Sequence, residues 1–254
     1  MHSTRAFEGI ENLFGKDGFG KIRKAHILIV GLGGVGSWVA ESLVRSGVEQ
    51  ISLMDMDEIC VSNINRQVHA DSESIGKAKV EAMKTRLLTI NPELKCHLYF
   101  EFYSQKTAHT ILEEKYDFIV DAIDSVKNKA LLLDTAVKNN IPILCIGGSG
   151  ARLDPTKITI NDLNKSINDK LLKQLKRRLR RDYSFSKFKE KKFNIPTVFS
   201  TELPLENNEM EECELKTNRI KNCQSGLGSA SFVTASFGFT AVSYILRRVS
   251  EREL

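Results

Sequence analysis

The stretch HILIVGLGGVGSWVAESLVRSG, residues 26–47, constrains the fold of this chain more than any other. A compact run of aliphatic residues enters a glycine cluster, and a segment with helical spacing leaves it. A buried strand that turns through glycines into a helix is the first part of a βαβ unit, and such units build parallel sheets. The alternation then repeats. Residues 50–57 read as a strand ending in acids, 75–90 as an amphipathic helix closed by Asn91-Pro92, and 95–103 as a third strand. A short helix over 108–115, an acid-tipped strand over 117–124, a helix over 127–139 and a strand over 141–146 follow. Residues 157–163 read as one more strand. We expect an α/β protein with a doubly wound, mostly parallel, Rossmann-like sheet and a C-terminal extension.

Ligands in such a sheet gather at the carboxyl ends of the strands. Here those ends carry the glycines, Asp55, Asp57, Asp124 and a second glycine cluster at 147–150. Gly31, Gly33 and Gly36 match G-x-G-x-x-G, with Gly34 inside it. The turn is tight, the backbone must come close to phosphate, and helix N–H groups face the anion. Asp55 lies at the tip of the next strand, where an acid hydrogen-bonds a ribose hydroxyl. On these residues alone NAD or NADP is the default ligand. The stretch that follows points elsewhere. Asn63, Asn65, Arg66 and Gln67 come soon after the acidic strand end, and Lys77 and Lys79 open a helix. Fixed cations on this side suit an enzyme that attacks the α-phosphate of ATP, where charge builds as pyrophosphate leaves. Asp124 supplies a hard oxygen suited to Mg²⁺.

The chain of 254 residues holds one large domain or two small ones. Five scattered cysteines, Cys60, Cys96, Cys145, Cys213 and Cys223, form no CxxC pair, which argues against a zinc site or a disulfide framework and for a reducing compartment. The first twenty residues show no basic segment leading into an apolar run, so we expect no signal peptide. Residues 169–193 are strongly basic, and Leu171, Leu172, Leu175 and Leu179 give the first part the spacing of an amphipathic helix. Lys173, Lys176, Arg177, Arg178, Arg180 and Arg181 are candidate RNA contacts, with Tyr183, Phe185 and Phe188 available for stacking on bases. The other reading is a solvated helix face with its aromatics turned inward. Residues 202–214 hold six Glu and no Lys or Arg, and read as a solvated loop. Residues 222–246 carry no charge and are long enough to span a bilayer, yet Ser, Thr and Gly are frequent there. A core helix over 226–246 fits better than a membrane span.

The pieces GLGGVGS, DMD, SNINRQ, GKAK and DAIDS, in that order, resemble the nucleotide-binding domain of the ubiquitin-activating-like (ThiF/MoeB) adenylating enzymes. ICVSNINRQVHA, DAIDSVKNKALL, GGSGARLDPTKITINDL, VFSTELP and GLGSASFVTASFGFTAVSYILRR extend the resemblance, over nearly the whole chain, to its tRNA threonylcarbamoyladenosine dehydratase branch. The resemblance implies that residues 1–150 form an ATP-binding adenylation domain and 151–254 the C-terminal half of the same fold. It implies that the glycine loop, Asp55 and Asp57 hold the adenosine and ribose, and that Asn63, Asn65, Arg66, Gln67 and Lys79 surround the phosphates. Asp124 would bind Mg²⁺, and Arg66, Lys79 and Asp124 would be catalytic. The implied reaction is ATP-dependent dehydration of threonylcarbamoyladenosine beside the anticodon of a tRNA. The alternative within the family is adenylation of the C-terminus of a ubiquitin-like sulfur-carrier protein; the lack of CxxC pairs favours the dehydratase branch. Also implied are a cytoplasmic homodimer, with Arg5 as the candidate arginine acting across it, and a cysteine desulfurase with its sulfur acceptor as neighbours.

Overall fold

A computed structural model describes residues 3–188, 190–205 and 228–251. Two N-terminal helices, α1 (Ser3–Ala6) and α2 (Glu8–Lys24), precede β1 (His26–Val30) and α3 (Gly36–Arg45). Then come β2 (Gln50–Met54), α4 (Lys79–Ile90), β3 (Lys95–Tyr99), α5 (Thr110–Glu113), β4 (Phe118–Asp121), α6 (Val126–Lys138) and β5 (Ile143–Ile146). The C-terminal part adds β6 (Ile158–Asp162), α7 (Lys170–Asp182), β7 (Pro196–Ser200) and α8 (Ser231–Val249).

The strands form one sheet in the order β3-β2-β1-β4-β5-β7-β6, parallel except for the antiparallel edge strand β6. The expected doubly wound, mostly parallel sheet is what the chain adopts. Alternation along β1 divides the interior. Ile27 and Ile29 face a core shared with α3, α4 and α8, whereas Leu28 and Val30 face one shared with α6 and α7. A strand buried on both faces must be apolar at every position, which is why HILIV shows no alternation of polarity. The order reverses between β1 and β4, and the crevice at that switch point is where such sheets bind ligands.

Several elements differ from expectation. The helix expected over 75–90 begins only at Lys79. Gly76, at φ +80°, donates its N–H to the Ile59 carbonyl, and Glu58 pairs with Ala78, so 75–78 braces the loop after β2 instead. The third strand stops at Tyr99, leaving Phe100 and Phe102 half exposed. Helix α2 and strand β7 had no counterpart in the sequence reading. Within α2, Gly15 takes φ +72° and kinks the helix. Strand β7 opens on Pro196 and slips between β5 and β6.

The last helix runs over Ser231–Val249 rather than 226–246, and only one face of it is buried. That face packs on α3, where Gly238 permits the close approach: a Cβ there would lie 2.9 Å from Trp38 Cβ. Phe232 and Phe239 stand on its exposed side. No described helix is long and apolar enough to cross a membrane. Most of the expected acidic loop, together with Cys213, Cys223 and Lys189, lies outside the described residues. Glu202 at its start is engaged: its carboxylate accepts the N–H groups of Leu153 and Asp154.

Candidate active site

The glycine turn is built by contacts that exclude side chains. Gly31 has φ +95°, and a Cβ there would lie 2.8 Å from the Ala122 carbonyl oxygen at the end of β4. A Cβ on Gly36 would collide with the Gly31 carbonyl oxygen, so no larger residue fits. At Gly33 there is open space. The backbone between β1 and α3 therefore lies bare toward the crevice, beside the first turn of a helix.

Asp55 ties the next strand to this turn. Its Oδ2 accepts the Leu32 N–H at 2.6 Å and its Oδ1 accepts the Asp57 N–H at 2.9 Å. Burial pushes this carboxyl up, and the Lys79 charge opposes the shift. Lys79, buried at the first position of α4, donates from Nζ to Asp57 Oδ2 at 2.8 Å. An ammonium so little exposed must have a partner, and Asp57 supplies it.

Arg66 lies against the turn: its Cγ and Cδ are each 3.4 Å from where a Cβ of Gly34 would stand. Its Nη1 donates to the Ser62 carbonyl and, at 3.0 Å, to Asn65 Oδ1. Asn65 Nδ2 reaches the Ser229 carbonyl at 2.8 Å, tying this loop to the chain before α8. Asn63 is turned inward, and its Oδ1 accepts the Cys60 N–H, closing a short 3₁₀ turn. Gln67 is buried, with its Oε1 unpartnered among the described residues. Asp124 is exposed beyond β4. The crevice thus brings together the glycine turn, Asp55, Asp57, Arg66, Lys79 and the loop leading to Asp124, while Asn63 serves its own turn.

Some groups that hold this arrangement went unseen in the sequence. Trp38 is only half buried, and its Nε1 donates to the Arg66 carbonyl at 3.0 Å. Thr234 of α8 donates its hydroxyl to the same oxygen at 3.1 Å. Lys129 and Asp121 are both fully buried, with Nζ 3.0 Å from Oδ2. Lys129 also donates to the Asp121 and Ile123 carbonyls, and Asp121 Oδ1 accepts the Ile123 N–H. This pair fixes the backbone that leads to Asp124. The available signal was helical phase: Lys129 adjoins the buried stripe of Ala130, Leu132, Leu133 and Ala136.

Neither Cys96 nor Cys145 is a ready nucleophile, because burial pushes Cys96 up to about 11 and Cys145 well up. His69 is buried, with both ring nitrogens unpartnered among the described residues. Burial, then Lys79 and Arg86, lower it to about 4, so it is neutral at physiological pH.

The basic helix α7 divides the expected RNA contacts. Leu172, Leu175 and Leu179 face the core. Lys173 and Arg177 are exposed. Arg178 and Arg181 pair with Asp182. Lys176 donates to the Ser166 carbonyl at 2.7 Å. Arg180 is committed internally, to Asn164 Oδ1 and the Ser186 carbonyl, with its guanidinium over the Phe193 ring. Of the aromatics, Tyr183 and Phe185 pack against the core and only Phe188 stands out.

A family model described as the ThiF family matches residues 8–253. The chain belongs to the ThiF family. A tRNA threonylcarbamoyladenosine dehydratase of Haemophilus influenzae is 44% identical over 247 residues, covering 97% of this chain and 94% of the relative. Among solved structures, an Escherichia coli tRNA N6-threonylcarbamoyladenosine dehydratase, TcdA, in complex with ATP superposes with a TM-score of 0.87 at 38% identity, covering 98% of this chain and 95% of that one. The same enzyme in complex with AMP gives 0.88 at the same identity and coverage. As a ThiF-family member matched over nearly its whole length by these dehydratases, the chain shares their α/β fold.

Proposed function

We propose that this chain catalyses the ATP-dependent dehydration of threonylcarbamoyladenosine in tRNA. The observation that carries the proposal is the cation at the glycine turn: Arg66 lies on Gly34, and the Lys79–Asp57 pair stands by Asp55, which is bonded to the same turn, at the switch point of the sheet. A hydride-transfer site has no need of such charge, whereas attack on an α-phosphate does. The whole-length similarity to dehydratases solved with ATP and with AMP supports the same reading.

The substrate side chain ends in a carboxylate, and hydroxide is a poor leaving group. Transfer of AMP to that carboxylate, with loss of pyrophosphate, makes an acyl adenylate. A nitrogen or oxygen of the same side chain then attacks the activated carbonyl and AMP departs, so the net loss is one water. An internal nucleophile explains why no reactive cysteine is needed. In this scheme the bare turn cradles phosphate, Asp55 orients the ribose, and Arg66 and Lys79 stabilise charge on the phosphates. Asn65, Trp38 and Thr234 hold Arg66 in place.

The donor set fits Mg²⁺ in a limited way. Asp124 offers one exposed hard oxygen, and no cluster of three metal-ligating side chains exists among the described residues. A nucleotide-borne Mg²⁺ that takes most of its ligands from phosphate and water needs no more; it would neutralise phosphate charge. Lys170, Lys173 and Arg177 are exposed α7 cations without an acidic partner among the described residues, and so are available to the tRNA backbone. The homodimer is supported by half-exposed Phe232 and Phe239 and by exposed Arg5 near the N-terminus, available to reach a partner's nucleotide. A tRNA substrate and the scattered cysteines support a cytoplasmic location, where a cysteine desulfurase and its acceptor would be neighbours.

The test is mass spectrometry of nucleosides from tRNA bearing threonylcarbamoyladenosine, after incubation with the protein, Mg²⁺ and ATP under mild handling. ATP-dependent loss of one water is the expected result. An unchanged nucleoside with ATP still bound would refute it and direct attention to a sulfur-carrier protein substrate.

A further inference from the structure

Two motifs that the adenylation chemistry leaves unused meet at one place. GGSGAR (147–152) and VFSTELP (198–204) are hydrogen-bonded to each other, and Pro204 of the second lines an open cavity of about 440 Å³ together with Ile167, Asn168, Lys170 and Lys173 among others. Its rim is tightly fixed. Arg152 is 4% exposed, and its guanidinium donates to the carbonyls of Gly148, Asn168 and Glu202, so one buried cation staples three loops. Asn168 sits in the left-handed region at φ +52°, and its Nδ2 donates to the Thr201 carbonyl at 2.6 Å. Asp169 caps α7 by accepting the Leu172 N–H, and its other oxygen accepts the Gly148 N–H, both at 2.8 Å. A side chain on Gly147 would collide with that oxygen.

Asp169 in its wall accepts the Gly148 N–H just after β5, which puts the cavity near the carboxyl edge of the sheet, the edge that carries the glycine turn and Asp124. Its chemistry is specific. Lys170, Lys173 and Lys176 recur at three-residue spacing, hence along one side of α7. Lys176 is held by Ser166, whereas Lys170 and Lys173 are exposed and, among the described residues, have no acidic partner. The one acid in the wall, Asp169, already has both oxygens engaged. Ile167, 53% exposed, and Pro204 add an apolar surface. Two exposed ammonium groups beside an apolar wall, in an open pocket with a hydrogen-bonded rim, fit a nucleotide: phosphate to the cations, ring face to the wall. Beyond the cavity, α7 presents exposed Arg177, which favours a continuing strand over a free mononucleotide.

We propose that this cavity seats a nucleotide of single-stranded RNA flanking the one being modified, with its phosphate on Lys170 and Lys173 and its ring on Ile167. The proposal rests on the tRNA reading above and places the anticodon strand along the sheet edge, from α7 toward the glycine turn.

The experiment measures binding of a synthetic anticodon stem-loop, carrying threonylcarbamoyladenosine, to the full-length protein across a salt series. K170A/K173A should weaken binding roughly tenfold at low salt and lower the slope of log affinity against log salt by about 0.7, the share of one single-strand phosphate. Ile167→Trp, which fills the cavity, should weaken binding with the slope unchanged. Unfolding midpoints within about 2 °C of the parent would show that both variants are folded. Parent-like affinity and slope in folded K170A/K173A, with the parent binding the stem-loop, would overturn the cavity proposal and leave the tRNA reading intact. Failure of the parent itself to bind would overturn both. Inorganic phosphate bound by the parent but not by K170A/K173A, with equal RNA affinity in the two, would mark a simple anion site and also overturn the proposal.

Discussion

Replacing Lys129 with Met tests how the site is held without touching a reacting group. Lys129 and Asp121 are fully buried, 3.0 Å apart, and no other cation is within ion-pair reach of Asp121 among the described residues. Met keeps the aliphatic stem but strands the Asp121 carboxylate and frees the Asp121 and Ile123 carbonyls. Removing one partner of a buried pair destabilises by about 3–5 kcal/mol. For a chain of this size that lowers the unfolding midpoint by roughly 6–20 °C. The sign of the pH dependence follows from Asp121, whose carboxyl burial already pushes up. Without Lys129 it rises further, so the folded variant holds a proton that the unfolded chain releases. Stability relative to the parent is then restored as pH falls toward the ordinary carboxylate range and lost as pH rises above it. Adding Asp121→Asn should recover much of the loss at neutral pH. Thermal unfolding between pH 5 and 8 measures all three effects. A Lys129→Met protein within about 1 kcal/mol of the parent at pH 7.5, with no recovery on acidification, would refute the assignment.

Other perturbations probe the site and its frame. Arg66→Ala should lower kcat/KM about 10²–10³-fold, the typical effect of losing one transition-state donor, with tRNA affinity kept; single-turnover cyclisation assays measure it. Gly36→Ala should abolish ATP binding, read by calorimetry, because its Cβ has nowhere to go but the Gly31 carbonyl. His69 is lowered to about 4, so it stabilises the fold when neutral, and about 3 kcal/mol is lost as pH falls from about 6.5 to about 4. Urea unfolding of His69→Leu should lack that part of the acid sensitivity.

Much of the fold was legible because short-range physics wrote it. HILIV had to be a doubly buried strand, the glycines a turn with no room for side chains, and the strand–helix alternation a parallel sheet. Gly31, Gly36, Asp55 and Lys79 were singled out because nucleotide chemistry would require those residue types in that order, and the structure does gather them around one crevice. Strand β7 and the late start of α4 were not legible, since Pro196 weakened the first signal and the second depends on Gly76 bonding to Ile59. The free charges of α7 were only half legible. Periodicity shows which face of α7 is apolar, but not that Arg180 meets Asn164 or that Lys176 meets Ser166.

By itself, then, the sequence determined the class of sheet, the glycine turn and the charges around it, because each follows from local pattern. Only the tertiary structure decided which charges are free and which are tied. Arg66 is held by Trp38 and Thr234 from two different helices, Lys129 is balanced by Asp121 across β4 and α6, and Arg152 binds three loops. Those partners lie from four to 168 residues apart in the chain, and most are too distant for a local pattern to specify. Packing alone brings them within the roughly 3 Å at which a hydrogen bond acts.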